Sequence, residues 1–284
     1  MLFIVLCLGA IGVLYLVGSV LSAPARAVIG AAPADLHANS VSIAANGVAI
    51  AGWSVAGKPG AGAVLLLHGV RSNRLQMLER ARFLSRQGYS VLLVDLQAHG
   101  ESGGERITFG ARESNGVTAA LAWLRARYPG ERIGVIGVSL GAASLVLARP
   151  HPAPDAVVLE SMYPTIEEAV ANRLGDRLGA PGRWMTPVLV MQLPLRFGVA
   201  PSALRPVDAA ASLDCPVLVI SGSADHHTTA AETLRIFSAL PGPKQLWMID
   251  GAAHVDMHAR APAAYEARVG TFLAASLRAA VAAR

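Results

Sequence analysis

Six apolar runs of four or five residues recur along the chain, at 63–67, 91–94, 133–136, 156–159, 217–220 and 246–249. Each closes on a small or polar residue: His68, Asp95, Gly137, Glu160, Ser221 and Asp250. Runs this short and this continuously apolar are strands buried on both faces, because a half-exposed strand would alternate. Segments with helical periodicity separate them, at 75–87, 114–128, 140–147 and 263–282. Alternation of this kind predicts an α/β fold with a mostly parallel central sheet and helices on both faces. Residues 41–43 and 48–55 predict a leading hairpin, with Asn46-Gly47 as a tight turn in which both residues tolerate positive φ. A sheet of this type collects its functional loops at the carboxyl ends of the strands. His68, Asp95, Ser139, Glu160, Asp225 and His254 fall there.

One stretch breaks the rhythm. Residues 163–206 lie between two sheet strands, exceed a simple crossover and carry Trp184, Met185 and the run 188–191. They are expected to form a helical cap inserted over the strand ends. The α/β domain with its cap is expected over 41–284, preceded by a linker at 23–40 that is rich in Pro, Ala and Gly near its start.

Residues 2–21 read LFIVLCLGAIGVLYLVGSVL, without a charge. A helix of that length is about 30 Å long, the thickness of a bilayer's hydrocarbon core. A single-pass transmembrane anchor over 1–22 is therefore expected. A cleaved signal peptide is the competing reading, with Ala25-Arg26-Ala27 as a loose cleavage site. No Lys or Arg precedes the run, and it is longer than a signal peptide's apolar core, which favours retention. The first positive side chain, Arg26, follows the run and biases the domain toward the cytoplasmic side.

The chemistry concentrates at Gly137-Val138-Ser139-Leu140-Gly141, a G-x-S-x-G set between the strand run at 133–136 and a helix. That setting puts a serine on a sharp strand-to-helix turn, with the helix N-terminus aimed at developing negative charge. A serine hydroxyl is a weak nucleophile and needs a base, and the base needs an orienting carboxylate. In this architecture the acid and then the histidine follow the serine. Asp225 comes just past the run at 217–220, and His254 lies in the loop after the run at 246–249. His226 and His227 adjoin Asp225 too closely to bridge it to a serine and read as surface residues. His258 falls at the start of the last helix. Asp250 and Asp256 flank His254 as alternative acids, whereas Asp208 and Asp214 precede their strand and belong to the opposite edge. The oxyanion donors are expected to be the N–H groups of Leu140 and of Val70, in the turn after His68-Gly69. His68 reads as a structural hydrogen-bonding residue.

Composition removes other classes. Lys and Arg number 24 against 19 Asp and Glu, a net charge of +5, but the arginines are scattered and not interleaved with aromatics, so nucleic-acid binding is not indicated. The two cysteines, Cys7 and Cys215, are badly placed to pair or to hold a metal.

Taken together, HGVRSNR, VLLVDLQAHGESGG, GVSLG, SGSAD and GAAH resemble the α/β-hydrolase superfamily. The resemblance runs from about 41 to 277 and is nearest to bacterial membrane-associated serine hydrolases similar to the serine aminopeptidase and monoacylglycerol-lipase-like group. It implies an α/β-hydrolase fold with an eight-stranded sheet, a Ser139–Asp225–His254 triad, and no metal or organic cofactor. It also implies an architectural role for His99 and Gly100. Many relatives carry a proline shortly after the acid, where this chain has Thr228-Thr229. The expected activity is cleavage of small or lipid-like acyl esters through an acyl-enzyme. A serine peptidase, or an idle hydrolase fold acting as a membrane interaction module, are the alternatives. A dehalogenase would need an aspartate at position 139.

Overall fold

The structure, a computed structural model, describes residues 2–278; for residues 2–8, 10 and 11 it describes the backbone alone. Helix α1 (Leu2–Leu21) leads into a short strand β1 (Ala25–Arg26). The hairpin follows as β2 (Asn39–Ala45) and β3 (Val48–Val55), with Asn46 and Gly47 at φ 45° and 78°. Then come β4 (Ala63–Leu67), α2 (Leu78–Arg86), β5 (Ser90–Val94), β6 (His99–Gly100), α3 (Glu113–Arg127), β7 (Ile133–Val138), α4 (Leu140–Ala148) and β8 (Ala156–Glu160). Helices α5 (Ile166–Leu178), α6 (Ala180–Val190), α7 (Gln192–Phe197) and α8 (Pro206–Ala209) precede β9 (Val217–Gly222). The chain continues through α9 (Ala230–Ala239), β10 (Lys244–Ile249), α10 (Met257–Arg260) and α11 (Pro262–Leu277). The terminal helix was expected to reach 282; residues 279–282 lie outside the described residues.

The eight-stranded sheet runs β10-β9-β8-β7-β4-β5-β3-β2. Only the pairings of β3 with β2 and β5 are antiparallel. Buried side chains divide between its faces. Leu65, Leu67 and Val135 point into one apolar layer, and Val64, Leu66 and Ile136 into the other. Two covered faces explain why these strands carry no polar alternation. Burying each such leucine contributes about 2 kcal/mol.

The expected helix at 75–87 opens instead as a 3-10 turn at Arg74–Met77. Asn73 caps it by accepting the Leu75 N–H, and the Arg74 side chain turns inward to Asp95. The insertion before β9 is helical, and its Ile166, Val190, Leu193 and Leu204 form a small core packed against Phe109 and Leu147.

The N-terminal region departs from expectation. Among the described residues no helix is long and apolar enough to cross a membrane, so the spanning anchor expected over 1–22 is not found there. The end of α1 is docked on the domain. Gln192 donates to the Leu14 carbonyl at 3.1 Å, Arg196 Nη1 donates to Ser19 Oγ at 2.7 Å, and Arg71 Nη1 donates to the Val20 carbonyl at 3.2 Å. The region expected as a linker is also fastened. Strand β1 pairs with β6, and Glu101 accepts the N–H groups of both Ile29 and Gly30 at 2.9 Å.

Candidate active site

Strand β7 and helix α4 meet at Ser139, whose φ of 49° and ψ of −107° lie outside the regions a serine ordinarily adopts. Its flanking glycines permit the turn. A Cβ at Gly137 would stand 2.7 Å from the Ala142 backbone, and one at Gly141 would stand 2.5 Å from the Leu67 carbonyl oxygen. The Ser139 N–H is held by the Glu160 carbonyl at 2.8 Å, tying the turn to the neighbouring strand. The hydroxyl is buried and makes no hydrogen bond among the described residues.

At the same sheet edge, the loops after β9 and β10 bring Asp225 and His254 together. His254 Nδ1 lies 2.8 Å from Asp225 Oδ2. The other carboxylate oxygen accepts the N–H groups of His227 and Thr228, each at 2.8 Å. Burial pushes the Asp225 carboxyl up, but the hydrogen bond and charge of His254 and the two N–H groups outweigh it, and its pKa ends below the ordinary value. Asp225 is therefore an anion facing Nδ1, which leaves Nε2 as the ring nitrogen not engaged by the carboxylate.

The Thr228-Thr229 departure has a local use. The Thr228 N–H, which a proline would lack, holds Asp225, and Thr229 starts α9 in a capping box with Glu232.

The rival residues are engaged elsewhere. Asp250 accepts from Ser223, Asp256 pairs with Arg80, His258 with Glu266 and Asp208 with Arg205. His226 is exposed as expected. His227 is not a plain surface residue: it is half-buried, its ring centroid 5.1 Å from that of His254. Burial and the charge of Arg173 lower its pKa.

The turn after β4 carries Gly69 and Val70. The Gly69 N–H donates to Gln76 Oε1 at 2.7 Å. The Arg71 N–H donates to His99 Nε2 at 3.0 Å, with Arg71 at φ 57°. Between them, the Val70 N–H has no partner among the described residues, and neither has the Leu140 N–H at the start of α4. The turn runs close to the serine: a Cβ built on Gly69, the residue before Val70, would stand 3.8 Å from Ser139 Cβ. His68 is structural, as expected: its Nε2 accepts the Leu96 N–H at 2.9 Å. Burial and then the neighbouring His99 push its pKa down to about 3. His99 also acts through the backbone, consistent with an architectural residue.

Sequence reasoning missed Gln76 and Arg71, which fix the turn from either side. It also missed the buried group beneath the serine. Arg80 binds Glu160 through Nε at 3.0 Å and Nη2 at 2.6 Å, and reaches Asp256 at 2.8 Å and the Tyr265 hydroxyl at 3.1 Å. The one available signal was a charged Glu160 closing an otherwise apolar run. Among the described residues, no three His, Cys, Asp or Glu side chains converge as metal ligands.

The family model described as serine aminopeptidase, S33, matches residues 58–195. The chain is 26% identical over 233 residues to the uncharacterized protein YqkD of Bacillus subtilis, covering 81% of this chain and 76% of that one. It is 30% identical over 218 residues to an uncharacterized protein of Mycobacterium tuberculosis, covering 74% of this chain and 70% of that one. Among solved structures it is similar to the Pyrococcus furiosus esterase Pf2001, with a TM-score of 0.76 and 27% identity over 90% of this chain and 98% of that one. An esterase from Thermogutta terrifontis, at 17% identity and a TM-score of 0.62 over 84% of this chain and 99% of that one, shares the fold.

Proposed function

The chain belongs to the α/β-hydrolase superfamily and is a hydrolase, and from that premise we propose that it cleaves carboxylic esters with Ser139 as nucleophile, His254 as base and Asp225 as the orienting acid. The observation that carries this reading is the 2.8 Å contact between Asp225 and His254 at the sheet edge where the strained, buried Ser139 sits. The esterase similarity supports the substrate class.

In this mechanism Ser139 Oγ attacks the ester carbonyl carbon and its proton passes to His254 Nε2. Asp225 accepts the Nδ1–H and stabilises the imidazolium. The Val70 and Leu140 N–H groups hold the oxyanion. His254 then returns the proton to the departing alcohol, leaving an acyl group on Ser139. Water, deprotonated by the same histidine, then attacks the acyl carbonyl, and His254 returns that proton to Ser139 Oγ as the acid leaves. The hydrogen bond from Ser139 to His254 forms as substrate enters, because such bonds are often loose or absent in the empty enzyme.

We propose lipid-like or medium-chain acyl esters as the substrates, supported by the predominantly apolar composition of the inserted helices. We also propose that the N-terminal helix associates the enzyme with the cytoplasmic face of a membrane without spanning it, supported by its twenty consecutive uncharged residues.

Ser139→Ala tests the enzymatic reading. The variant is expected to keep the parent's circular dichroism and to lose hydrolysis of p-nitrophenyl butyrate. Hydrolysis at the parent rate would show that Ser139 is not the nucleophile.

A further inference from the structure

Helices α6 and α7 are continuous through Met191, whose φ of −60° and ψ of −17° keep the helical path. On this rod Trp184, Val188, Met191 and Leu195 follow one another at spacings of four, three and four residues, which aligns them on one stripe. All four face solvent, at 77%, 40%, 68% and 87% exposure. The opposite face of the same rod, with Thr186, Leu189, Val190 and Leu193, is the buried one. A helix apolar on both faces has one face too many for a protein surrounded by water.

The surroundings of the stripe are basic. Between Asp176 and Asp208 the sequence contains Arg177, Arg183, Arg196 and Arg205 and no acidic residue. Arg183 and Arg196 lie on the two flanks of the stripe, about 100° to either side by helical geometry. Along the Arg196 flank lies α1. Arg196 donates to the Tyr15 carbonyl and stacks 3.9 Å over the Tyr15 ring, while Gln192 reaches Leu14. The Gln192 and Arg196 side chains pack over Gly18, where a built Cβ would stand 2.2 Å from Gln192 Oε1. The described outer face of α1 is again apolar, with Val13, Leu16 and Val20 at 59%, 64% and 65% exposure. An apolar stripe bordered by arginines and continued by a second apolar helix fits the boundary between anionic headgroups and acyl chains.

We propose that the α6–α7 face of the cap is a lipid-docking surface, seated in the interfacial layer of a membrane containing anionic phospholipid. It inserts Trp184, Met191 and Leu195 among the acyl chains and sets the exposed Arg183 against the phosphates. The inference goes beyond the ester-hydrolase reading and does not depend on it.

Trp184 supplies its own probe. The full-length protein is mixed with phosphatidylcholine–phosphatidylglycerol vesicles, plain or carrying brominated acyl chains, and tryptophan emission is recorded. Trp53 is fully buried, and Trp123 and Trp247 are half-buried, so Trp184 is the best placed of the four to meet the lipid. Emission quenched by the brominated lipid is expected in the parent, reduced in Leu195→Glu and abolished in Trp184→Phe. Three results would overturn the proposal: equal emission in both vesicles, quenching that survives in Trp184→Phe, or a Trp184 shielded only as sedimentation shows two copies associating. The readout needs no turnover, so it separates this surface from the assignment of Ser139.

Discussion

Nδ1 of His254 lies 2.8 Å from Oδ2 of Asp225, and the second oxygen of that carboxylate is occupied by two backbone N–H groups. The acid is therefore fixed in orientation, ionised and committed to one tautomer of the histidine. Asp225→Asn would keep the size of the side chain but could present its NH₂ to Nδ1 and favour the wrong tautomer. It is expected to lower kcat for p-nitrophenyl butyrate by about 10³–10⁴-fold with an unchanged fold. Steady-state kinetics and circular dichroism check this together. A kcat within threefold of the parent would remove Asp225 from the mechanism.

Arg71 couples the end of α1 to the turn that presents the Val70 N–H. Its side chain caps carbonyls at Val20 and Ala23, and its own N–H is held by His99. Loss of the side chain should loosen the turn and not the substrate pocket. Arg71→Met is expected to lower kcat by about tenfold or more with little change in KM. Arg71→Lys should recover part of the loss. Arg106 also reaches the end of α1, at the Ser19 carbonyl, but does not touch the turn. Arg106→Met is expected to have parental kinetics, and an equal fall in both variants would contradict the role given to Arg71.

His68 makes stability depend on pH. Its pKa is about 3 in the folded protein and near 6.5 as an ordinary histidine. Between those values the unfolded chain binds the extra proton, so unfolding free energy rises with pH across that window and is lost as pH falls through it. Above pH 6.5 the group is neutral in both states and contributes no slope. Its share is at most about 1.4 kcal/mol per pH unit. Urea midpoints of the parent and of His68→Gln, taken from pH 7 to pH 4, should show a shallower decline in the variant. Parallel curves would show that another group sets the dependence.

Arg80 and Glu160 form a fully buried ion pair beneath the nucleophile turn, joined by Asp256 and Tyr265. Removing one partner leaves an uncompensated charge in the interior. Arg80→Leu is expected to cost about 3–5 kcal/mol of stability, read as a shift in the urea midpoint. A midpoint unchanged from the parent would mean that the pair is not closed in solution.

The parts of this molecule that were legible in the sequence share a local cause. Leu65 and Leu66 announce a strand buried on both faces because each must avoid water, whatever its partner is. Ser139 is legible because the turn forces Gly137 and Gly141 on either side of it. Asp225 and His254 follow from chain order within the architecture, and they do meet. What escaped the sequence depends on a distant partner. Arg80 reads as one more surface arginine until Glu160 is placed 80 positions away. Arg71 gains meaning only when the end of α1 folds back onto it. The N-terminal run shows the same limit from the other side: composition predicts a spanning helix, but hydrogen bonds from Gln192 and Arg196, which composition does not encode, fasten its end to the cap.

The central claim is that Ser139 is an activated nucleophile, and covalent labelling tests it most directly. The protein is treated with a fluorophosphonate, digested and mapped by mass spectrometry. The account predicts a single adduct on the Ser139 hydroxyl, absent from Ser139→Ala and strongly slowed in His254→Ala. An unlabelled parent, or an adduct on another residue that persists in Ser139→Ala, would contradict it.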